Sequence, residues 1–134
     1  MAHPLRGAVA VVGTGLTPFG ELPGRSHLEI MGEAIHNALA DAGIDKNQVD
    51  GMFGSNFADP LGGILYPEYF GLKNIKVMDS TNIGGSSFNN AAQEAAAALH
   101  LGLCDVALIA YGSNARTATR RGGGPGFGRS FDAP

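Results

Sequence analysis

The stretch TNIGGSS, residues 81–87, holds the residues most able to do chemistry. It joins the apolar run NIKVMDS to the alanine-rich SFNNAAQEAAAALHLG, and so reads as a tight strand-to-helix elbow. An elbow of this kind aims backbone N–H groups and a helix dipole at whatever occupies it. A thiolate there would have a lowered pKa. No cysteine is present, only Gly84, Gly85, Ser86 and Ser87. A serine hydroxyl gains less from the elbow, because it also needs a neighbouring base. Serine is in addition a good helix N-cap, so Ser86 and Ser87 are read as caps ahead of nucleophiles.

Other chemistry is thinly represented. His3, His27, His36 and His100 fall at the terminus or at helix ends and flanks, as surface histidines, and their spacing matches no metal-ligand pattern. No metal site is expected. Cys104, the single cysteine, begins an apolar run, where a thiol acts as a small hydrophobe. VVGTGLTPFG supplies Gly13 and Gly15 but has Pro18 where a dinucleotide fingerprint needs its third glycine, and no helix opens directly. GGGPGFG lacks the Lys-Ser/Thr of a phosphate loop.

The charge is unevenly placed. Residues 1–114 carry a net charge of −6, and residues 115–134 carry +3 with Arg116, Arg120 and Arg121. The acidic body argues against a nucleic-acid module. The apolar runs are too short to span a membrane, so a cytoplasmic protein with no membrane partner is expected.

The elements that must position the elbow follow from periodicity. GAVAVVGTG, residues 7–15, is apolar on both faces and predicts a buried strand of a parallel sheet. Ser26 and Glu29 form a capping box, and Leu28, Met31, Ile35, Leu39 and Ala42 line one face of the helix that follows. Gly43 stops that helix. Further strands are expected near 50–56, 74–80 and 104–113, with one short helix between 59 and 72. The order implies an α/β layered fold with a parallel or mixed sheet. The helix after the elbow is small nearly all round, at Ala91, Ala92 and Ala95 to Ala98, which suggests a central helix approached on several sides. A chain of 134 residues does not supply every layer that such a helix needs. Residues 1–114 read as the first part of a domain, and 115–134 as a Gly/Arg-rich loop.

Across about residues 7–114 the sequence resembles the thiolase superfamily, in that family's N-terminal part. The resemblance rests on AVAVVGTGLTPFGELPGRS, on ALADAGID with VDGMFGSNF, and most specifically on GGSSFNNAAQEAAAALHLGLCDVALIAYGSNART. It is nearest to the sterol-carrier or lipid-transfer thiolases, often described as acetyl-CoA acetyltransferases. The resemblance implies a layered fold of two similar halves, with the elbow helix buried between two sheets. It implies a coenzyme A thioester as substrate, with no covalently bound cofactor. The strand at 75–80 would pair across a dimer twofold, and Arg116, Arg120 and Arg121 would meet a CoA phosphate.

Counted back from Gly102 without gaps, the resemblance puts the family's catalytic cysteine at Gly85, where this sequence departs from the pattern, so ordinary Cys-dependent thiolase chemistry is not expected of it. Three readings follow. One is an acyl-CoA enzyme of the acyltransferase type, making or breaking C–C bonds, and inactive as this fragment. Another is a Cys-less retro-aldol lyase subunit working with an OB-fold and zinc-ribbon partner. The last is a non-catalytic structural half, completed by a second copy or a partner chain.

Overall fold

A computed structural model describes residues 3–56, 59 and 61–120. Helix α1, His27–Ala42, starts on the expected box: Ser26 Oγ accepts the Glu29 N–H, and the Glu29 carboxylate accepts the Ser26 N–H at 2.7 Å. It ends at Gly43, whose φ of 66° lets the Ile44 and Gly43 N–H groups return to Leu39 and Ala40. Strand β1, Gly51–Gly54, follows, then helix α2, Gly62–Phe70, strand β2, Val77–Asp79, and helix α3, Ser87–His100. Strand β3, Ala107–Ala110, and helix α4, Ala115–Arg120, complete the order.

The three strands form one parallel sheet in the order β2-β1-β3, with Met52 opposite Met78 and Leu108. Side chains alternate along β1. Met52 joins Met31, Ile35, Tyr66 and Leu108 in the core under α1 and α2. Phe53 joins Ala91, Ala95, Ala98 and Cys104 under α3. The result is a partial αβα sandwich on a parallel sheet, the α/β layering that the residue pattern predicts. The alanine side chains let α3 lie close to the sheet. Its far side, at Asn89, Ala92 and Gln93, is exposed among the described residues, so the helix is layered on one side only.

Asp50 locks the entry edge of this sheet. Its carboxylate accepts the N–H groups of Asp105 and Val106 at 2.9 and 2.8 Å, and Lys76 Nζ lies 2.9 Å away. Its own backbone bonds to Val106 and Lys76, so one residue ties together the starts of all three strands.

Two expectations need correction. The run at 7–15 forms no strand. It lies along α1, with the Thr14 N–H on Asp41 at 2.8 Å and the Asn37 amide on the Leu16 carbonyl at 2.9 Å. Gly13 and Gly15 touch the α1 backbone so closely that a Cβ on Gly13 would stand 2.5 Å from the Ala38 carbonyl. A cavity of about 440 Å³ separates the run from β3 and α3. A strand apolar on both faces needs a layer on each. Here Val11 is 88% exposed, and the packing contact with α1 replaces ladder bonds. The stretch 115–134, read as a loop, begins with α4. Its first turn is fixed by Ser113 Oγ accepting the Ala115 N–H, and Thr117 Oγ1 accepts the Leu22 N–H at 3.0 Å.

Candidate functional site

Local hydrogen bonds build the elbow from the end of β2 onward. The Asp79 carboxylate accepts both the N–H and the hydroxyl of Thr81. Asn82 Oδ1 accepts the Gly84 N–H at 3.2 Å, an Asx-type turn that asparagine favours. Gly84 then takes φ 72°, a left-handed conformation that suits glycine. A short 3-10 turn, Gly84–Ser86, runs directly into α3.

The two serines behave differently from each other and from the expected caps. Ser86 has φ −83° and ψ −6°, which are already helical, and it makes no capping bond. An N-cap needs an extended backbone to turn its oxygen onto the next N–H groups. Ser87 is 3% exposed. Its hydroxyl donates to the Gly84 carbonyl at 2.7 Å and accepts the Ile83 N–H at 2.9 Å, stapling the elbow onto the first turn of α3. Among the described residues neither serine hydroxyl is hydrogen-bonded to an imidazole or a carboxylate, so neither is set up as an activated nucleophile.

Gly85 is exposed, and a Cβ placed on it would meet nothing within 4 Å. It opens onto a cavity of about 380 Å³, which Asn82, Gly84, Ser87 and Phe88 also line. Ser55 and Asn56 come in from the end of β1, and Tyr111 from the end of β3. The site thus lies beyond the carboxyl ends of parallel strands, where open α/β sheets hold their ligands. Phe88 and Tyr111 pack with ring centroids 5.0 Å apart and make an aromatic wall. Amides and hydroxyls supply the polar lining.

The sequence-derived candidates are only partly brought together. Gly85 and Ser87 line the cavity, whereas Ser86 does not. Arg116 is outside the lining, with its Nε 4.0 Å from the Glu21 carboxylate. Arg120 falls in α4, where its side chain is not described, and Arg121 lies outside the described residues. Cys104 is buried behind the sheet; burial, then the charges of Asp50 and Asp105, raise its thiol pKa. That setting suits packing rather than reactivity.

Among the described residues no three His, Cys, Asp or Glu side chains gather as a metal site. No helix among them is long and apolar enough to cross a membrane.

Two features escaped the sequence reading. His27 is not a free surface histidine. Its Nε2 lies 2.6 Å from Asp59 Oδ2, which also accepts the Tyr66 hydroxyl at 3.1 Å. Burial, followed by the Asp59 charge, holds the Tyr66 phenol above its usual range. Sequence spacing offers no signal for this cluster, because 32 residues separate His27 from Asp59. The other is Asn82, for which an asparagine two residues before a glycine was the available signal.

No protein-family model matches the chain. It is 34% identical over 128 residues to a steroid side-chain-cleaving aldolase of Thermomonospora curvata, an alignment covering 96% of this chain and 32% of that protein. It is also 34% identical over 119 residues to a 17-hydroxy-3-oxo-4-pregnene-20-carboxyl-CoA lyase of Mycobacterium tuberculosis, covering 88% of this chain and 30% of that one. The chain thus spans about a third of the length of these curated relatives.

Among solved structures, the Ltp2-ChsH2(DUF35) aldolase superposes with a TM-score of 0.72 and 31% identity, over 81% of this chain and 28% of that chain. A monomeric SCP2-thiolase like protein type 1 from Mycobacterium smegmatis superposes with a TM-score of 0.59 and 26% identity, over 73% of this chain and 22% of that chain. The relatives are aldolases and lyases by name, which favours the retro-aldol alternative over the acyltransferase reading.

Proposed function

The chain belongs to the thiolase-like superfamily, and on that premise we propose that it provides the elbow of a lyase acting on a steroid side chain carried as a coenzyme A thioester. The observation that carries this reading is the elbow itself. It keeps a ligand-sized cavity, yet has Gly85 where the superfamily places its nucleophile, and its buried serine is committed to the backbone. Acyl transfer needs a group that attacks the thioester carbon. Retro-aldol cleavage does not.

In that reaction a base removes the proton of a hydroxyl on the carbon β to the thioester. The oxygen's electron pair forms a ketone, and the bond between the α and β carbons breaks. Its electron pair passes to the α carbon and, as an enolate, onto the thioester oxygen. A proton then returns to the α carbon. One β-hydroxy thioester gives one ketone and one shortened thioester.

The aromatic wall of Phe88 and Tyr111 suits an apolar substrate body beside polar amides. The reading includes a DUF35-type partner subunit, by similarity to the aldolase complex, and completion of the layers around α3 by further polypeptide. It also includes self-association along the outer edge of β2. Arg116, Arg120 and Arg121 are offered as contacts for the CoA phosphates.

The test is to assemble the protein with a DUF35-type partner and supply a steroid CoA ester that bears a hydroxyl β to the thioester. Release of the ketosteroid together with the shortened acyl-CoA is expected, with no thiolysis of acetoacetyl-CoA by this polypeptide. Thiolysis by the isolated chain would overturn the reading.

A further inference from the structure

Asn82 is a polar residue of the elbow cavity with hydrogen-bonding capacity to spare. The Gly84 N–H can only donate, so it fixes the asparagine with Oδ1 turned toward the loop. The Nδ2 group is then oriented by that bond and carries no hydrogen bond among the described residues, on a residue that lines the cavity. Two of the neighbouring polar side chains are committed, while Ser55 and Tyr111 also line the cavity. Ser87 Oγ serves Ile83 and Gly84, and the Asn56 amide serves the Gly112 carbonyl. Beside Asn82, Gly85 leaves open the space that a side chain would fill.

The geometry points to Asn82 as a catalytic residue whose Nδ2–H donates to the substrate's thioester oxygen, in the space left open at Gly85. This rests on the lyase reading above and adds to it. Cleavage moves the electron pair of the breaking bond onto that oxygen, so a fixed donor is worth most as the charge develops. The Asx-type turn orients the donor before the reaction begins, which reduces the reorganisation needed during it. The empty Cα face of Gly85 lets the thioester approach without being attacked, which separates enolate formation from acyl transfer.

The decisive substitution is Asn82→Asp. It keeps an oxygen for the Gly84 N–H and removes the donor. In the assembly with its partner subunit, kcat for C–C cleavage should fall by about 10²–10³-fold, the effect of losing one oxyanion donor, while KM and Tm change little. A kcat within threefold of the parent would overturn the inference and leave the lyase reading intact.

An infrared measurement needs no turnover. Propionyl-CoA labelled with ¹³C at its carbonyl is bound to the same assembly. Its C=O band should shift to lower frequency in the parent and return toward the solution value in Asn82→Asp. Equal bands in the two proteins would sink the role of Asn82 alone. Failure of propionyl-CoA to bind saturably would sink the CoA-thioester reading and this inference with it. Should Asn82→Asp not fold, Asn82→Ala, which also removes the donor, serves as the second variant, with kcat and the C=O band read under the same criteria at a temperature where it is folded.

Discussion

Replacing Ser87 by alanine separates a staple from a nucleophile. Ser87 is 3% exposed and its hydroxyl makes two short bonds, at 2.7 Å to the Gly84 carbonyl and 2.9 Å from the Ile83 N–H. Each is worth roughly 0.5–1.5 kcal/mol net, and a group left unsatisfied in the interior costs more. The Ile83 side chain is exposed and Gly84 half-buried, so water re-enters on one side and keeps the loss near the middle of that range. Two bonds at about 1 kcal/mol each give about 2 kcal/mol. The unfolding entropy is about 2.1 cal/mol/K per residue, or about 0.28 kcal/mol/K over 134 residues. The melting temperature should therefore fall by about 7 °C. Calorimetry or circular dichroism on the purified chain reads this directly. In the assembled enzyme, Ser87→Ala should keep cleaving once temperature is lowered to restore folding. A variant with unchanged Tm and abolished turnover would refute the staple and restore Ser87 as a nucleophile.

Asp50→Ala leaves the Asp105 and Val106 N–H groups without their acceptor and should cost about 3 kcal/mol by urea denaturation, since charge-assisted bonds are worth about 1.5–3 kcal/mol each. The parent should also be acid-sensitive through this residue. Burial works against the charged form of Asp50, but the Val106 N–H, Lys76 and the Asp105 N–H outweigh it and depress the pKa. A depressed carboxylate contributes stability above its unfolded value of about 3.9, and that stability is lost as pH falls through the lower folded value. Stability titrated from pH 6 to pH 2 should therefore fall less in Asp50→Ala than in the parent; equal falls would exclude this role. Gly15→Ala would drive a Cβ into the Ala34 carbonyl and the Ala38 amide of α1. It should destabilise by about 1–3 kcal/mol, or lift the 9–15 run off the helix with faster amide exchange there.

The boundaries of α1, its capping box and its glycine stop are legible in the sequence because each is decided within a few residues by local hydrogen bonding and backbone sterics. The strand near 50–56 and the small side chains of α3 were legible too, whereas the division of Met52 and Phe53 between two cores shows only in the fold. The elbow was legible as a shape, and the absence of a thiol at Gly85 as a fact. The use made of its residues was not. Ser86 and Ser87 have the same side chain, and only the dihedrals of a 3-10 turn make one idle and the other a staple.

The His27, Asp59 and Tyr66 cluster depends on three elements meeting, which no local pattern announces. The run at 7–15 marks the opposite limit. Its composition specifies a buried strand, and its sequence does so without ambiguity. Whether that strand forms depends on a layer over Val11 and on an open path to β3, and here α1 takes the backbone instead. Local chemistry thus determined which segments turn, cap and extend. Tertiary contact decided which of them pair, which hydroxyl is locked, and which amide is left with a proton to give.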